Sequence, residues 1–259
     1  MVRGRLRLAL TVGTALVLAL AGVEIGSAET PVVVEAGGLL PVVVGGFSPT
    51  ALPKRGKPAP IALNVSGKIE TMDGSIPSAL REVVLELDRN VTVNPKGMAV
   101  CGRGNIESPP PTERCRSALV GKGRISVAIA FPEQMPFTAK SRLFAFNGGE
   151  KRGTTTVFVY TYLAAPVNAA VVMTVEVAKI HEGRYGTKWL VAFPKIAGGY
   201  GSITKFDLTI NRRFHYEDRS ESYLLAKCPD RHLDGHASSV FADGSEQSDS
   251  FVRPCVPKS

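Results

Sequence analysis

The chain has 259 residues, with 31 Lys and Arg against 23 Asp and Glu, and a formal net charge of +8. This length allows one large β domain or two small ones, with a sizeable core. The basic residues are scattered and form no block of five or more like charges, which excludes a basic nucleic-acid-binding arm. A mild basic excess is compatible with contact to anionic polymers of a cell envelope.

Residues 1–28 have the three parts of a secretory signal peptide. Three Arg residues precede an apolar run over residues 8–21, and residues 26–28 (GSA) offer small side chains for cleavage. The apolar run is shorter than the roughly 20 residues that a helix needs to cross a bilayer, and Glu24 follows it. We therefore expect cleavage near Ala28, a secreted or cell-surface protein, and no transmembrane anchor after cleavage.

The interpretation of residues 29–60 is a Pro/Gly-rich arm or linker. Six prolines and two Gly-Gly pairs occur in this stretch. Proline removes a donor of a β-ladder and glycine loses much entropy when it is ordered, so neither favours a packed element. Two Val-Val-Val triplets, at residues 32–34 and 42–44, leave open the docking of a single edge strand.

Residues 61–259 have the pattern of a β domain. The two-residue period is clearest in Ile125, Val127 and Ile129, which alternate with small or polar residues. One apolar and one polar face per strand is typical of antiparallel sheets packed face to face. The predicted strands cover residues 61–69, 82–93, 124–131, 142–146, 154–162, 170–180, 189–193, 203–210, 222–228, 237–242 and 246–252.

This pattern predicts an all-β fold, an antiparallel β-sandwich or jelly roll. A split into two smaller sandwiches near residue 166 is the alternative. Residues 242–245 (ADGS) predict a tight hairpin turn. Residues 73–75 (DGS) and 147–149 (NGG) predict two further turns.

Four cysteines follow the signal peptide: Cys101, Cys115, Cys228 and Cys255. An even number in an exported chain indicates two disulfides, for which three pairings are possible. We expect Cys101–Cys115 and Cys228–Cys255, because both close local loops, each worth about 3 kcal/mol. None of the cysteines has the C-x-x-C spacing of a zinc knuckle.

Four phrases are similar to those of known sequences: residues 179–186 (KIHEGRYG), 194–210 (PKIAGGYGSITKFDLTI), 222–230 (SYLLAKCPD) and 252–255 (VRPC). As a set they resemble exported β-rich proteins of high-GC Gram-positive bacteria, over most of residues 58–256. The resemblance implies export and paired cysteines, and it brings no activity with it.

The best candidate for a metal site is His232 and His236, with Asp234 between them. Two imidazoles and a carboxylate can bind zinc or copper if the chain folds around the ion. Pro229 and Gly235 favour a loop here, so a solvated loop is the alternative. No other cofactor is expected.

Candidate sugar-binding residues are Tyr160, Tyr162, Tyr185 and Tyr200. The first two share one phase of a predicted strand, and the other two lie in Gly-rich loops, where side chains are commonly exposed. The alternative for the strand pair is packing in a core or interface.

Glycoside hydrolysis needs two carboxylates about 5 to 9 Å apart. Four candidates occupy the polar phase of predicted strands: Glu86, Asp88, Glu176 and Asp207. The sequence favours an exported non-catalytic binding or structural module of the cell envelope, with envelope polysaccharide or an anionic surface polymer as partner. The alternatives are a secreted polysaccharide hydrolase or lyase and a secreted metal-binding protein.

Overall fold

A computed structural model describes residues 32–33, 39–108 and 110–258. The predicted signal peptide therefore lies outside the described residues. Strands make up most of the described chain, and they are, in chain order, β1 (Val32–Val33), β2 (Leu39–Ser48), β3 (Ala51–Pro53), β4 (Ala59–Pro60), β5 (Ala62–Thr71), β6 (Leu80–Asp88), β7 (Val91–Val93), β8 (Leu119–Ile129), β9 (Phe137–Lys151), β10 (Thr154–Leu163), β11 (Ala169–Glu182), β12 (Tyr185–Ala192), β13 (Gly201–Ile210), β14 (Arg213–Tyr216), β15 (Arg219–Ser222), β16 (Leu224–Ala226), β17 (His232–Phe241), β18 (Glu246–Pro254) and β19 (Val256–Lys258).

Helical structure in these residues is limited to short segments. They are α1 (Arg103–Glu107), α2 (Pro111–Arg114) and two single turns of 3-10 helix, Arg116–Ala118 and Ala197–Gly199. No helix in the described ranges is long and apolar enough to cross a membrane.

Twelve strands form one sheet, in the order β1-β2-β5-β13-β8-β9-β10-β11-β12-β6-β17-β18. All neighbours in it are antiparallel, and the predicted all-β antiparallel fold is therefore confirmed. The sheet curves until β18 approaches β2, where the Arg253 Nε–H donates a hydrogen bond to the carbonyl oxygen of Gly45. Within the described residues, no ladder joins β18 to β1 or β2. The sheet is thus nearly closed, and we call the line where β2 and β18 approach each other the seam.

The sheet is continuous through two places where the sequence suggests an interruption. β10 and β11 pair from Thr154–Ala178 to Leu163–Ala169, on either side of residue 166, so one sheet includes both halves of the chain. β2 pairs with β5 from Leu39–Thr71 to Ser48–Ala62. Residues 39–48, which the sequence places in an arm, therefore form a strand of the sheet.

Alternation places the apolar side chains of the strands inside the curved sheet, where they form the largest hydrophobic cluster. Leu39, Ile69, Leu80 and Phe241 form a separate cluster at one end of the enclosed space. Near the other end lie a three-stranded sheet (β4-β16-β7) and the parallel pair β3 and β19. The fully buried Tyr223 belongs to this second end, and burial raises the pKa of its hydroxyl.

Residues 101–108 and 110–118 form a helical excursion that covers part of the outer face of β9 and β10. The disulfide Cys101–Cys115 closes it, and Ile106 packs with Phe146 and Phe158 of the sheet. The second disulfide, Cys228–Cys255, closes a loop that contains the β17–β18 hairpin. Both pairings are those expected from the sequence.

The predicted turn at residues 147–149 is a bulge inside β9. The register with β10 shifts there, so that Val157 faces Asn147 and Thr156 faces Gly149. The buried Asn147 side chain donates to the carbonyl oxygen of Ala99, and its Oδ1 accepts from the backbone N–H of Gly149. The Asn side chain thus replaces the ladder bonds that the bulge removes and anchors the start of the excursion.

Candidate functional site

The curved sheet encloses a cavity of about 160 Å³, which we call the interior cavity. Its walls come from β5, β6 and the run of neighbouring strands from β8 to β13. Every side chain that lines it is Leu, Val, Ile, Met, Phe or Trp. The Nε1–H of Trp189 is hydrogen bonded to Thr187 Oγ1 at 3.2 Å, so this lining residue directs no free donor into the cavity.

A void of this size is unusual, because protein interiors are close-packed and contain few voids larger than a water molecule. An apolar cavity of about 150 Å³ stays dry and binds benzene or xenon. The interior cavity has this size and lining. It can therefore accept a small apolar group, and it offers nothing that would hold water.

The shape of the interior cavity depends on the close approach of Phe206 and Gly67. A Cβ atom at position 67 would lie 2.4 Å from Cε1 of the Phe206 ring, so only glycine lets the ring lie flat against β5. Any larger residue at position 67 must push this ring, which lines the cavity, towards the enclosed space.

A second cavity of about 110 Å³ lies at the seam, and we call it the seam cavity. It shares the lining residues Leu63, Val65 and Leu85 with the interior cavity, so the two spaces adjoin. The rest of its lining is more polar. The enclosed space thus changes from purely apolar at its centre to mixed at the seam.

β18 contributes most of the polar lining, because its alternate residues Gln247, Asp249, Phe251 and Arg253 face inward. The Arg253 guanidinium lies over the Phe251 ring, 5.3 Å from its centroid. A Cβ at Gly235, the residue opposite Phe251 in the β17–β18 ladder, would lie 2.2 Å from this ring. Glycine at this position lets the Phe251 ring form a flat wall of the seam cavity.

Gln247 is the most buried polar residue of the seam cavity, with 7% of its surface exposed. Its Nε2 atom is inaccessible and has no hydrogen-bond partner among the described residues. A buried donor without a partner costs about 1–3 kcal/mol. Gln247 therefore contributes an unsatisfied donor to the wall of the seam cavity, although this nitrogen has no surface exposed to the cavity itself.

The predicted metal ligands lie on the outer face of β17, at alternate positions. His232 Nε2 is 3.8 Å from Asp234 Oδ2. The two ring nitrogens of His236 are hydrogen bonded to Ser250 Oγ at 3.0 Å and Ser248 Oγ at 3.2 Å. In the described part of the chain, no group of three or more His, Cys, Asp or Glu side chains is arranged to hold a metal ion.

The four candidate tyrosines are not assembled into one surface. Tyr162 pairs with Ala170 and Tyr185 pairs with Glu182, which are at opposite ends of β11. Tyr160 is buried by the helical excursion, and this burial raises the pKa of its hydroxyl. Tyr200 is 47% exposed and packs on Phe131 near the start of β13. Their role in sugar binding stays a prediction.

The candidate carboxylates are likewise dispersed. Glu86 on β6 and Glu176 on β11 are separated by β12 and offset by two residues along it, which places their backbones about 12 Å apart at a strand spacing of about 4.8 Å and a rise of about 3.4 Å per residue. Asp207 lies on β13, on a distant part of the sheet. Asp88 is buried, and its two oxygens accept hydrogen bonds from Asn90 and from the backbone N–H of Asp234. This carboxylate is used to join β6 to β17.

Comparisons of the chain with protein-family models, with curated proteins and with solved structures find no match. Arguments about function therefore depend on the geometry of the cavities. The cavities could not be identified from the sequence, because β18 has polar residues in both of its phases. Its inward residues Gln247 and Asp249 are as polar as its outward residues Ser248 and Ser250. The alternation of residues therefore does not indicate which face of β18 points into the enclosed space.

Proposed function

We propose that this protein is a non-catalytic binding protein of the cell envelope and that its ligand places an apolar group inside the sheet. The observation that supports this proposal is the interior cavity of about 160 Å³, lined only by apolar side chains and adjoining the seam. Unfilled space in a core forfeits contact energy. A ligand that fills the cavity explains why such a space is retained.

The size of the cavity limits the ligand. A space of about 150 Å³ accommodates one benzene molecule, so the bound group is a small hydrocarbon, or the alkyl or aryl part of a larger amphiphile. The seam cavity extends the available space towards β18. This ligand class replaces polysaccharide in our proposal, because the candidate tyrosines are dispersed and the enclosed space is apolar.

Two features support the cell envelope as the location. Both disulfides are of the kind that persists in oxidising compartments outside the cytoplasm. Residues 1–28 also have the pattern of a secretory signal peptide. The proposal includes no catalytic step, because the carboxylates and histidines that the sequence suggested lie on separate strands or are hydrogen bonded to neighbours.

Binding of benzene to the purified protein tests the proposal. A ligand that binds only the folded state at a hundred times its Kd adds about 2.7 kcal/mol to the free energy of unfolding, which raises Tm by several degrees. We expect this rise, together with shifts in the methyl resonances of Val159 and Val175, which line the interior cavity. Xenon under pressure should shift the same resonances.

A matched pair of variants locates the site. Val175→Phe fills the interior cavity and should abolish benzene binding, whereas Val172→Phe adds the same group to the outer face of β11 and should leave binding intact. The proposal fails if neither benzene nor xenon shifts the lining methyl resonances of the wild-type protein.

A further inference from the structure

We infer that a cleft at the end of the sheet where β7 lies binds a small organic anion, at a site separate from the interior cavity. The cleft has a volume of about 400 Å³, and we call it the β7 cleft. Its walls come mainly from β7, β10, β11 and β12, and none of the described residues lines both this cleft and the interior cavity. Ligand pockets in proteins measure about 300–1,000 Å³ and combine apolar walls with a few polar groups. The β7 cleft has both properties.

The apolar part of the β7 cleft is formed by side chains that are buried or half-buried. Val91 on β7 and Val177 on β11 are buried, and Val93 and Ile180 are half-buried beside them. A hydrocarbon group that covers these side chains gains about 25 cal/mol for each Å² of apolar surface removed from water. We therefore expect the ligand to have a small apolar body.

Three basic side chains line the same cleft. Lys179 and His181 occupy the phase of β11 in which Val177 is buried, so they continue its inward face beyond the hydrophobic core. Arg89 follows the end of β6, on the other side of β12. In the part of the chain that the structure describes, no ion pair involves any of the three. Their charges are thus available to a ligand.

The register of the sheet brings Arg89 and Lys179 to opposite sides of β12. Lys179 pairs with Thr187, and Thr187 pairs with Leu87, two residues before Arg89. At the usual strand spacing and rise, the two backbones are about 12 Å apart, so one anion between them can contact both long side chains. A Cβ at Gly186 would lie 2.5 Å from the Cα of Arg89, and glycine therefore allows the close contact that positions Arg89.

The acidic groups near the cleft do not cancel this charge. Glu150 is the one acidic residue among the described residues of the lining, and it lies on β9, three strands away from β6 and Arg89. Asp88 precedes Arg89 but is not part of the lining, and its oxygens accept hydrogen bonds from Asn90 and from the backbone N–H of Asp234. The Arg89 side of the cleft therefore favours an acidic ligand group.

Titration of the purified protein with benzoate and with benzamide tests the inference, because the two molecules have similar shapes and only benzoate is charged. We expect benzoate to shift the backbone amide resonances of Val93, Tyr185 and Thr187, which line the β7 cleft. Benzamide should bind at least about tenfold more weakly, since hydrogen bonds to a charged acceptor are roughly twice as strong as neutral ones. Equal affinity for the two molecules would overturn the inference.

Variants with matched charge locate the anion. Arg89→Met and Lys179→Met each remove one positive charge from an exposed side chain of the cleft, and each should weaken benzoate binding by about fivefold or more. Lys188→Met removes the same charge from an exposed residue of β12 that does not line the cleft, and it should change the affinity by less than about twofold. An equal loss in all three variants would show general attraction to a basic protein and would contradict a site in the cleft.

The wild-type protein gives a result that does not depend on how the variants fold. If benzoate leaves the amide resonances of the β7 cleft in place, the inference is wrong. The methyl resonances of Val159 and Val175 report on the interior cavity and should respond to benzene but not to benzoate. Because the two sites are read from different resonances, failure of this inference leaves the proposed function standing, and the reverse also holds.

Discussion

The wall made by β8, β9, β10 and β11 and the seam between β2 and β18 enclose the same space in different ways. In the wall, each strand is hydrogen bonded along its length to both neighbours, and the disulfide-closed excursion covers part of its outer face. At the seam, the Arg253 side chain bonds to the Gly45 carbonyl oxygen, and three of the four inward side chains of β18 are polar.

This difference separates two requirements of a binding protein. A fixed cavity needs walls that do not relax into it, and ligand exchange needs a place where the walls part with little loss of hydrogen bonding. In the proposed function, the wall provides the first and the seam the second. Substitutions in the wall should therefore change the free energy of unfolding, and substitutions at the seam should change the rate of ligand exchange.

The largest effect is expected in the wall. Phe146 is fully buried between the sheet and the excursion, and Phe146→Ala should lower the free energy of unfolding by about 3–5 kcal/mol in urea titrations. The matched seam variant is Val252→Ala on the outer face of β18, where the side chain is 53% exposed and the change should stay within about 0.5 kcal/mol. Equal losses of unfolding free energy in the two variants would contradict the proposed difference between the wall and the seam.

Removal of the Cys101–Cys115 disulfide should have the next largest effect. The bond closes a loop of 14 residues, and replacing both cysteines with Ala should cost about 3 kcal/mol through the unfolded state. Hydrogen exchange should rise in residues 101–118 and on β9 and β10. An equal rise of hydrogen exchange on β18 would contradict the difference between the wall and the seam.

Two glycines test whether the cavity has a fixed shape. Gly67→Ala forces the Phe206 ring towards the interior cavity, which should cost about 1–3 kcal/mol and abolish benzene binding. At the seam, a Cβ on Gly45 meets only the Asn64 carbonyl oxygen, at 4.0 Å. Gly45→Ala should therefore keep both stability and benzene binding, as measured by thermal unfolding and NMR titration.

Arg253→Met tests the seam itself. The variant keeps an unbranched apolar side chain over Phe251 and removes the hydrogen bond to the Gly45 carbonyl oxygen, at a cost of about 0.5–1.5 kcal/mol. Benzene should dissociate faster, as seen in NMR exchange line widths, and hydrogen exchange should rise on β18. An unchanged dissociation rate would show that ligands leave by another route.

The smallest effect concerns the turn after β5. Bonds from the hydroxyl and N–H of Ser75 lower the pKa of Asp73 to about 2, from an ordinary value of 3.8. The stabilisation by this group is complete above the unfolded-state pKa and is lost as the pH falls towards 2. NMR titration of Ser75→Ala should show a raised Asp73 pKa, while Asp243, whose pKa Ser245 lowers in the same way, should not change.

The sequence predicted those parts of the fold that local pattern determines. The inward face of β8 followed from the alternation of Ile125, Val127 and Ile129, and the turn between β17 and β18 followed from the Asp243-Gly244 pair. Both depend on the side-chain period of a strand or on a positive φ that glycine adopts freely. The local disulfide pairings belong to the same group.

Features that depend on distant contacts were missed. The turn predicted at residues 147–149 is a bulge, because Asn147 bonds to Ala99 in a segment 48 residues away. β2 was interpreted as part of an arm, with docking of an edge strand left open, because its two glycines and one proline obscure the ten-position ladder with β5. The cavities could not be predicted either, since a void depends on how side chains from eight or more strands fit together.

The bond across the seam also has a consequence for how the chain becomes folded. Its two partners, Gly45 and Arg253, are 208 residues apart, and β5, β6 and β13 likewise pair with strands far away in sequence. Sheets built from such pairings form slowly, because the entropy cost of closing long loops comes before the stabilising contacts that compensate for it. A chain that is still being synthesised lacks β18 until nearly all of the described residues have been made. The enclosed space can therefore form only after β18 has joined the sheet, so the cavities are completed in the last stage of folding.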